Sequence, residues 1–85
     1  MFYVYVLFSI KFDKYYVGLT ERLEKRLIEH NQGKTKSTKA FIPWTRVHYE
    51  VFETRLLARK REKYLKTAAG RKWRKKHIRP RDLPE

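Results

Sequence analysis

Residues 15–31 read YYVGLTERLEKRLIEHN, and the change of period inside this stretch decides the fold. Tyr15, Val17 and Leu19 alternate with Tyr16 and Gly18 at the two-residue period of a strand, which puts the first three on one face and the last two on the other. From Thr20 the period lengthens. Thr20 is a good N-cap with Glu21 in the first helical turn, and the spacing predicts a helix to about Gln32, ended by Gly33. At about 100° per residue, Leu23 and Leu27 mark the buried stripe of that helix. His30 falls almost in line with them, and Arg26 lies just to one side. Each has a bland reading, Arg26 with its stem along the core edge and His30 as a satisfied helix-end histidine. A tyrosine-rich strand next to both shifts the balance towards a site.

Working outward, Phe2, Val4, Val6 and Phe8 alternate with Tyr3, Tyr5 and Leu7, so residues 2–8 form a strand that is apolar on both faces. Ser9 to Lys14 closes a hairpin onto the Tyr15 to Leu19 strand. Tyr3, Tyr5 and Tyr16 then share a face, with Gly18 leaving space beside them. The stretch GKTKSTKAFIP, residues 33–43, is a basic loop as suited to gripping phosphates through Lys34 and Lys36 as to lying solvated. Trp44 to Phe52 is a third strand, with Val47, Tyr49 and Val51 on one face and Arg46, His48 and Glu50 on the other. Thr54 caps a second helix that ends near Ala69 and Gly70. On it Ala58, Glu62, Leu65 and Ala69 recur at helical spacing, so Glu62 stands on an apolar stripe. It is the only acid between Arg55 and Arg81. A carboxylate so placed needs a cation, either a neighbour such as Arg59, Lys63 or Lys66 or a metal ion.

Composition narrows the partner. A formal net charge of +13 on 85 residues exceeds what solubility needs and points to a polyanion, nucleic acid first. The charge is uneven. Residues 1–54 hold nine Lys/Arg against six Asp/Glu, a net of +3, and residues 55–85 hold thirteen against three, a net of +10. Leu57, Tyr64, Leu65 and Trp73 interleave those cations, which favours folded helices to about His77 over a loose basic tail. Residues 78–85, IRPRDLPE, read as an extended end of a single domain spanning 1–85. With no cysteine there is neither a disulfide framework nor a thiolate zinc site, which fits a reducing cytoplasm. MFYVYVLFSI is too short to span a bilayer and lacks the basic leader of a signal peptide.

No P-loop, dinucleotide fingerprint, zincin motif or nucleophile elbow occurs. What remains is a set of tyrosines, one Arg, one His and one Glu in a basic domain, and that set suits phosphodiester hydrolysis. Tyr or His can take a proton from water, Arg can hold charge developing on phosphorus, and one carboxylate can hold a divalent cation. Tyrosine, with a free pKa of about 10, becomes a base only where positive charge lowers that value.

Taken in order, these residues resemble the GIY-YIG nuclease superfamily, and within it small stand-alone bacterial members related to the nuclease domain of the excision-repair incision subunit. Tyr3-Val4-Tyr5 stands at the Gly-Ile-Tyr motif, with Tyr3 replacing its Gly, and Tyr16-Val17-Gly18 stands at Tyr-Ile-Gly. Arg26 and His30-Asn31 match the motif helix, and Pro43-Trp44 and Glu62 also fit, so the likeness covers roughly residues 2–76. It implies an α+β fold, a three-stranded antiparallel sheet flanked by about three helices. It implies Tyr5, Tyr16, Arg26 and His30 as catalytic residues and Glu62 as ligand to Mg²⁺ or Mn²⁺. The expected activity is endonuclease cleavage of DNA, with branched or damaged duplex among the candidate substrates in repair or recombination. Gly18, Lys34, Lys36, Arg71, Lys72, Trp73, Lys75 and Lys76 are the expected DNA contacts. The competing expectation is a non-catalytic nucleic-acid-binding module on the same fold, with Arg71, Lys72, Arg74, Lys75 and Lys76 on phosphates and Trp73 stacking on a base. The enzyme reading further expects Tyr5, Tyr16, Arg26 and a partly exposed Glu62 on one face of the sheet.

Overall fold

The computed structural model describes residues 1–78. Three strands, β1 (Phe2–Ser9), β2 (Lys14–Thr20) and β3 (Thr45–Phe52), and three helices, α1 (Leu23–Asn31), α2 (Arg55–Leu65) and α3 (Ala68–His77), follow in that order, with a single 3₁₀ turn at Lys39–Phe41. The strands form one antiparallel sheet in the order β2-β1-β3. β1 is central, and that is why it is apolar on both sides. Val4 and Val6 pack under α2 with Val17, Ala58, Leu65 and Ile78. Tyr5 and Leu7 pack on the other side with Trp44 and the Leu23 and Leu27 stripe of α1. The hairpin between β1 and β2 turns through Asp13 at φ 51°, a left-handed conformation that Asp tolerates better than most residues. No helix among the described residues is long and apolar enough to cross a membrane.

Four local readings are corrected. Thr20 pairs with Tyr3 and stays in β2. Its hydroxyl accepts from the Arg22 amide at 3.0 Å, closing a turn, and α1 starts at Leu23 with no side-chain cap. Gly33 does end α1, at φ 78°. In β3, a bulge opposite Val6 and Leu7 makes Val47 an extra residue, so strict alternation fails there. Val47 joins the core under α2, and Arg46 moves to the α1 side to meet Glu24 at 2.8 Å.

The second helix ends at Leu65, earlier than its pattern predicts. Thr67 breaks it by capping a new helix, its hydroxyl accepting from the Gly70 amide at 3.1 Å. Gly70 is therefore not a terminator. A Cβ there would overlap the Tyr64 carbonyl and the Leu65 backbone, so glycine lets α3 lie against α2. Arg74 fastens the joint, donating from Nε to the Leu65 carbonyl at 3.1 Å. Ile78, the first residue of the expected extended end, is instead buried against the same core, and the rest of that end, residues 79–85, lies outside the described residues.

Candidate active site

Pairing sets the first two members of the site. Tyr5 stands opposite Gly18 in the β1–β2 ladder, and the Tyr5 ring occupies the space that a Gly18 side chain would fill. Tyr16 pairs with Leu7, one step along the same face, and the Tyr5 and Tyr16 ring centroids are 6.3 Å apart. Helix α1 lays His30 onto both rings, at centroid distances of 5.8 Å and 5.0 Å.

The polar chemistry is a buried chain of hydrogen bonds. Tyr5 Oη lies 2.8 Å from His30 Nε2, and His30 Nδ1 lies 2.8 Å from Thr38 Oγ1. The Thr38 hydroxyl in turn donates to the Thr35 carbonyl at 3.3 Å. With its proton so used, Thr38 accepts from Nδ1–H, which leaves Nε2 free to accept the Tyr5 proton. Thr38 is itself fixed, because Trp44 Nε1 donates to its carbonyl at 2.9 Å. Asn31 holds Trp44 from the other side, accepting from its amide at 2.7 Å and donating to its carbonyl at 3.0 Å. Thr38 was invisible to sequence reasoning, for a threonine in a basic loop carries no period to mark it as buried. The Asn that follows His30 in RLIEHN was the signal for the clamp.

Electrostatics keeps Tyr5 and His30 neutral at rest. Burial pushes Tyr5 up to about 12, Tyr16 and Glu62 add to the rise, and Arg26 opposes it. Burial lowers His30 to about 4, with the Arg26 charge acting in the same direction. Arg26 is held at 3.2 Å to Glu29. Burial works against its charge, but Tyr5 and Glu29 outweigh that and its pKa rises.

The His30 shift has a signed consequence for stability. Below its ordinary value of 6.5 the unfolded chain binds a proton that the folded chain refuses until about pH 4. The stabilising contribution is thus complete above 6.5 and is lost as pH falls towards 4. Thermal unfolding midpoints should begin to drop near pH 6.5, above the carboxylate range, and His30→Gln should remove that early part of the drop. A wild-type midpoint flat from pH 7 to 5 would contradict it.

Glu62 enters from the other side of the sheet. It is 6% exposed, less open than expected, on a helix packed against Val4 and Val6, so the expected convergence on one sheet face does not occur. Its carboxylate accepts from Arg59 and Lys66, each at 3.2 Å. Its charge nevertheless raises Tyr5, and Lys66 lines the same cleft as Tyr16 at the outer edge of β2. Among the described residues no three His, Cys, Asp or Glu gather as a metal-ligand cluster. The donor set fits a hard divalent cation only with one protein carboxylate and the remaining positions filled by water and phosphate oxygens. Arg59 and Lys66, with side chains 63% and 51% exposed, have room to release it.

The expected DNA contacts separate. Lys34, Lys36, Arg71, Lys72, Lys75 and Lys76 are exposed. Trp73 is not presented for base stacking. Its ring packs on the core beneath α2, with the Arg61 guanidinium 4.6 Å from its centroid, His77 stacked at 4.7 Å and His48 edge-on.

The GIY-YIG catalytic domain profile matches residues 1–76. A UPF0213 protein of Staphylococcus saprophyticus is 38% identical over 71 residues, covering 82% of this chain and 85% of its own. One from Clostridium perfringens is 42% identical over 67 residues, covering 78% and 71%. The solution NMR structure of a UPF0213 protein from Bacillus halodurans superposes with a TM-score of 0.53 at 30% identity, over 88% of this chain and 81% of that one. That likeness carries the same three antiparallel strands and three helices. The matched domain marks an endonuclease superfamily that acts on DNA and generally uses a divalent metal. The chain belongs to the GIY-YIG family.

Proposed function

We propose that this chain is a divalent-metal-dependent DNA endonuclease acting as a single catalytic domain. The observation that carries this is the buried chain from Tyr5 through His30 to Thr38 with Arg26 beside it. Two groups neutral at rest and joined by a short hydrogen bond can pass a proton in one direction. As water attacks phosphorus, its proton goes to Tyr5 Oη while Tyr5 gives its own to His30 Nε2, a transfer that the negative charge of the bound phosphate favours by raising His30 from its resting value of about 4. Arg26 offers a planar fork to the phosphate oxygens on which charge builds. Tyr16 packs against His30 and keeps its ring in line. Glu62 would hold the metal, which supplies charge stabilisation at the leaving oxygen.

One observation favours the second reading, a binding module without catalysis: Glu62 already has two cationic partners. Incubating the pure protein with labelled branched, nicked, single-stranded and plain duplex DNA, in Mg²⁺, Mn²⁺ or EDTA, decides between them. Cleavage that appears with metal and vanishes in EDTA is the expected result. Tight binding with no cleavage of any substrate in either metal would establish the binding module instead.

A further inference from the structure

The outer edge of β2 and the start of α3 enclose an open cleft of about 550 Å³ that the proton chain does not use. Lys14 reaches it from β2, Lys66 from the turn after α2, and Arg71 and Lys75 from α3. These four cations are far apart in sequence and gathered by the fold. Like charges brought together repel, so a cluster kept by the fold is one that an anion completes. Lys66 has Glu62 as partner, but Lys14, Arg71 and Lys75 have no carboxylate at ion-pair distance among the described residues. Asp13 is the one acid on the rim. Arg74 forms the floor and is spoken for, with its Nε on the Leu65 carbonyl and its guanidinium 5.1 Å from the Tyr15 ring centroid.

We propose that this cleft holds consecutive backbone phosphates of the same nucleic-acid strand that enters the tyrosine pocket. Tyr16 is the wall shared by the two, so a strand leaving Tyr5 past Tyr16 crosses the edge of β2 directly into it. The cleft is open at the surface, as a continuous polymer requires and a small enclosed anion does not. Arg71 and Lys75 are four apart and so share a face of α3, whereas Lys72 and Lys76 lie on the neighbouring face and do not line the cleft. The basic helix thus has one face that grips phosphates and another that only adds to the general field. This deepens the nuclease reading and depends on it only for which strand is held.

Anisotropy titrations of a fluorescein-labelled duplex in EDTA across 50 to 300 mM NaCl test it without requiring any cleavage. Arg71→Gln with Lys75→Gln should flatten the slope of log K against log salt by about 2, since each duplex phosphate contact contributes about 0.9. It should also raise Kd more than about tenfold, because ion contacts are lost as well as field. Lys72→Gln with Lys76→Gln, the same charge change one face away, should raise Kd less than about threefold. Equal effects of the two pairs would overturn the cleft in favour of a diffuse field. Lys14→Gln, on the exposed rim, should flatten the slope by about 0.9 and serves if the α3 pair fails to fold. Pyrophosphate that shifts cleft amide resonances while no cleft variant alters the DNA slope would make this a small-anion site and overturn the strand assignment. Failure of cleavage with these binding results intact would count against the nuclease reading alone.

Discussion

Arg26→Ala should lower the cleavage rate at saturating DNA by about a thousandfold, the scale of losing one preorganised donor to a developing oxyanion, about 4 kcal/mol. Kd for DNA should move less than about threefold, because the contact is strongest in the transition state. The side chain has two separable jobs. It opposes the burial that pushes Tyr5 up to about 12, and it presents a fork to the phosphate. Arg26→Lys returns the charge without the fork. It should therefore bring Tyr5 titration back towards the wild-type value while recovering little of the rate. Arg26 is about one-third exposed, with Glu29 as its one ion-pair partner among the described residues, so thermal stability should be nearly unchanged. A variant that melts earlier but cleaves normally would make Arg26 a packing residue.

Glu62→Gln should cost at least about a hundredfold in metal-dependent cleavage, the loss of a Lewis acid worth several kcal/mol. It should also abolish Mn²⁺ binding seen by electron paramagnetic resonance in the presence of DNA. The stability cost should be small. Gln keeps the volume of a buried side chain, and the two cations it leaves are solvent-exposed, where the strength of an ion pair is about 0 to 1 kcal/mol. A further sign is available, because the Glu62 charge raises Tyr5 and its removal should lower that value. Unaltered Mn²⁺ binding together with a large loss of stability would show that Glu62 serves only Arg59 and Lys66.

The sheet was legible because its pattern is periodic. Two-sided apolarity in residues 2–8 and the alternation of 15–19 leave little freedom once a hairpin joins them, and the placement of Tyr5 and Tyr16 on one face follows from that register. What escaped was local competition. Thr20 had a strand partner in Tyr3 stronger than its capping tendency. The β3 bulge at Val47 breaks alternation without any Gly or Pro to announce it. Thr67 capped a helix where Ala69 and Gly70 read as a terminus. Trp73 looked like a free stacking platform because sequence cannot say that Arg61, twelve positions earlier and on another helix, covers its face. Thr38 was hidden for the same reason, since its partner is contributed by a different element.

The strand order β2-β1-β3 also sets a kinetic problem. β1 finds β2 across a short turn, but Phe8 must find Thr45 and Phe2 must find Phe52, a search over about half the chain. Until it succeeds, the most apolar strand in the molecule has one unpaired edge, the kind of surface on which other chains nucleate aggregates. Asn31 shortens the search. Its two hydrogen bonds to the Trp44 backbone deliver the residue just before β3 to the end of α1, already folded against the hairpin. From there the remaining pairs can close one after another, with little further loop entropy to lose. The Asn that follows His30 thus guards the nascent chain as well as the finished site.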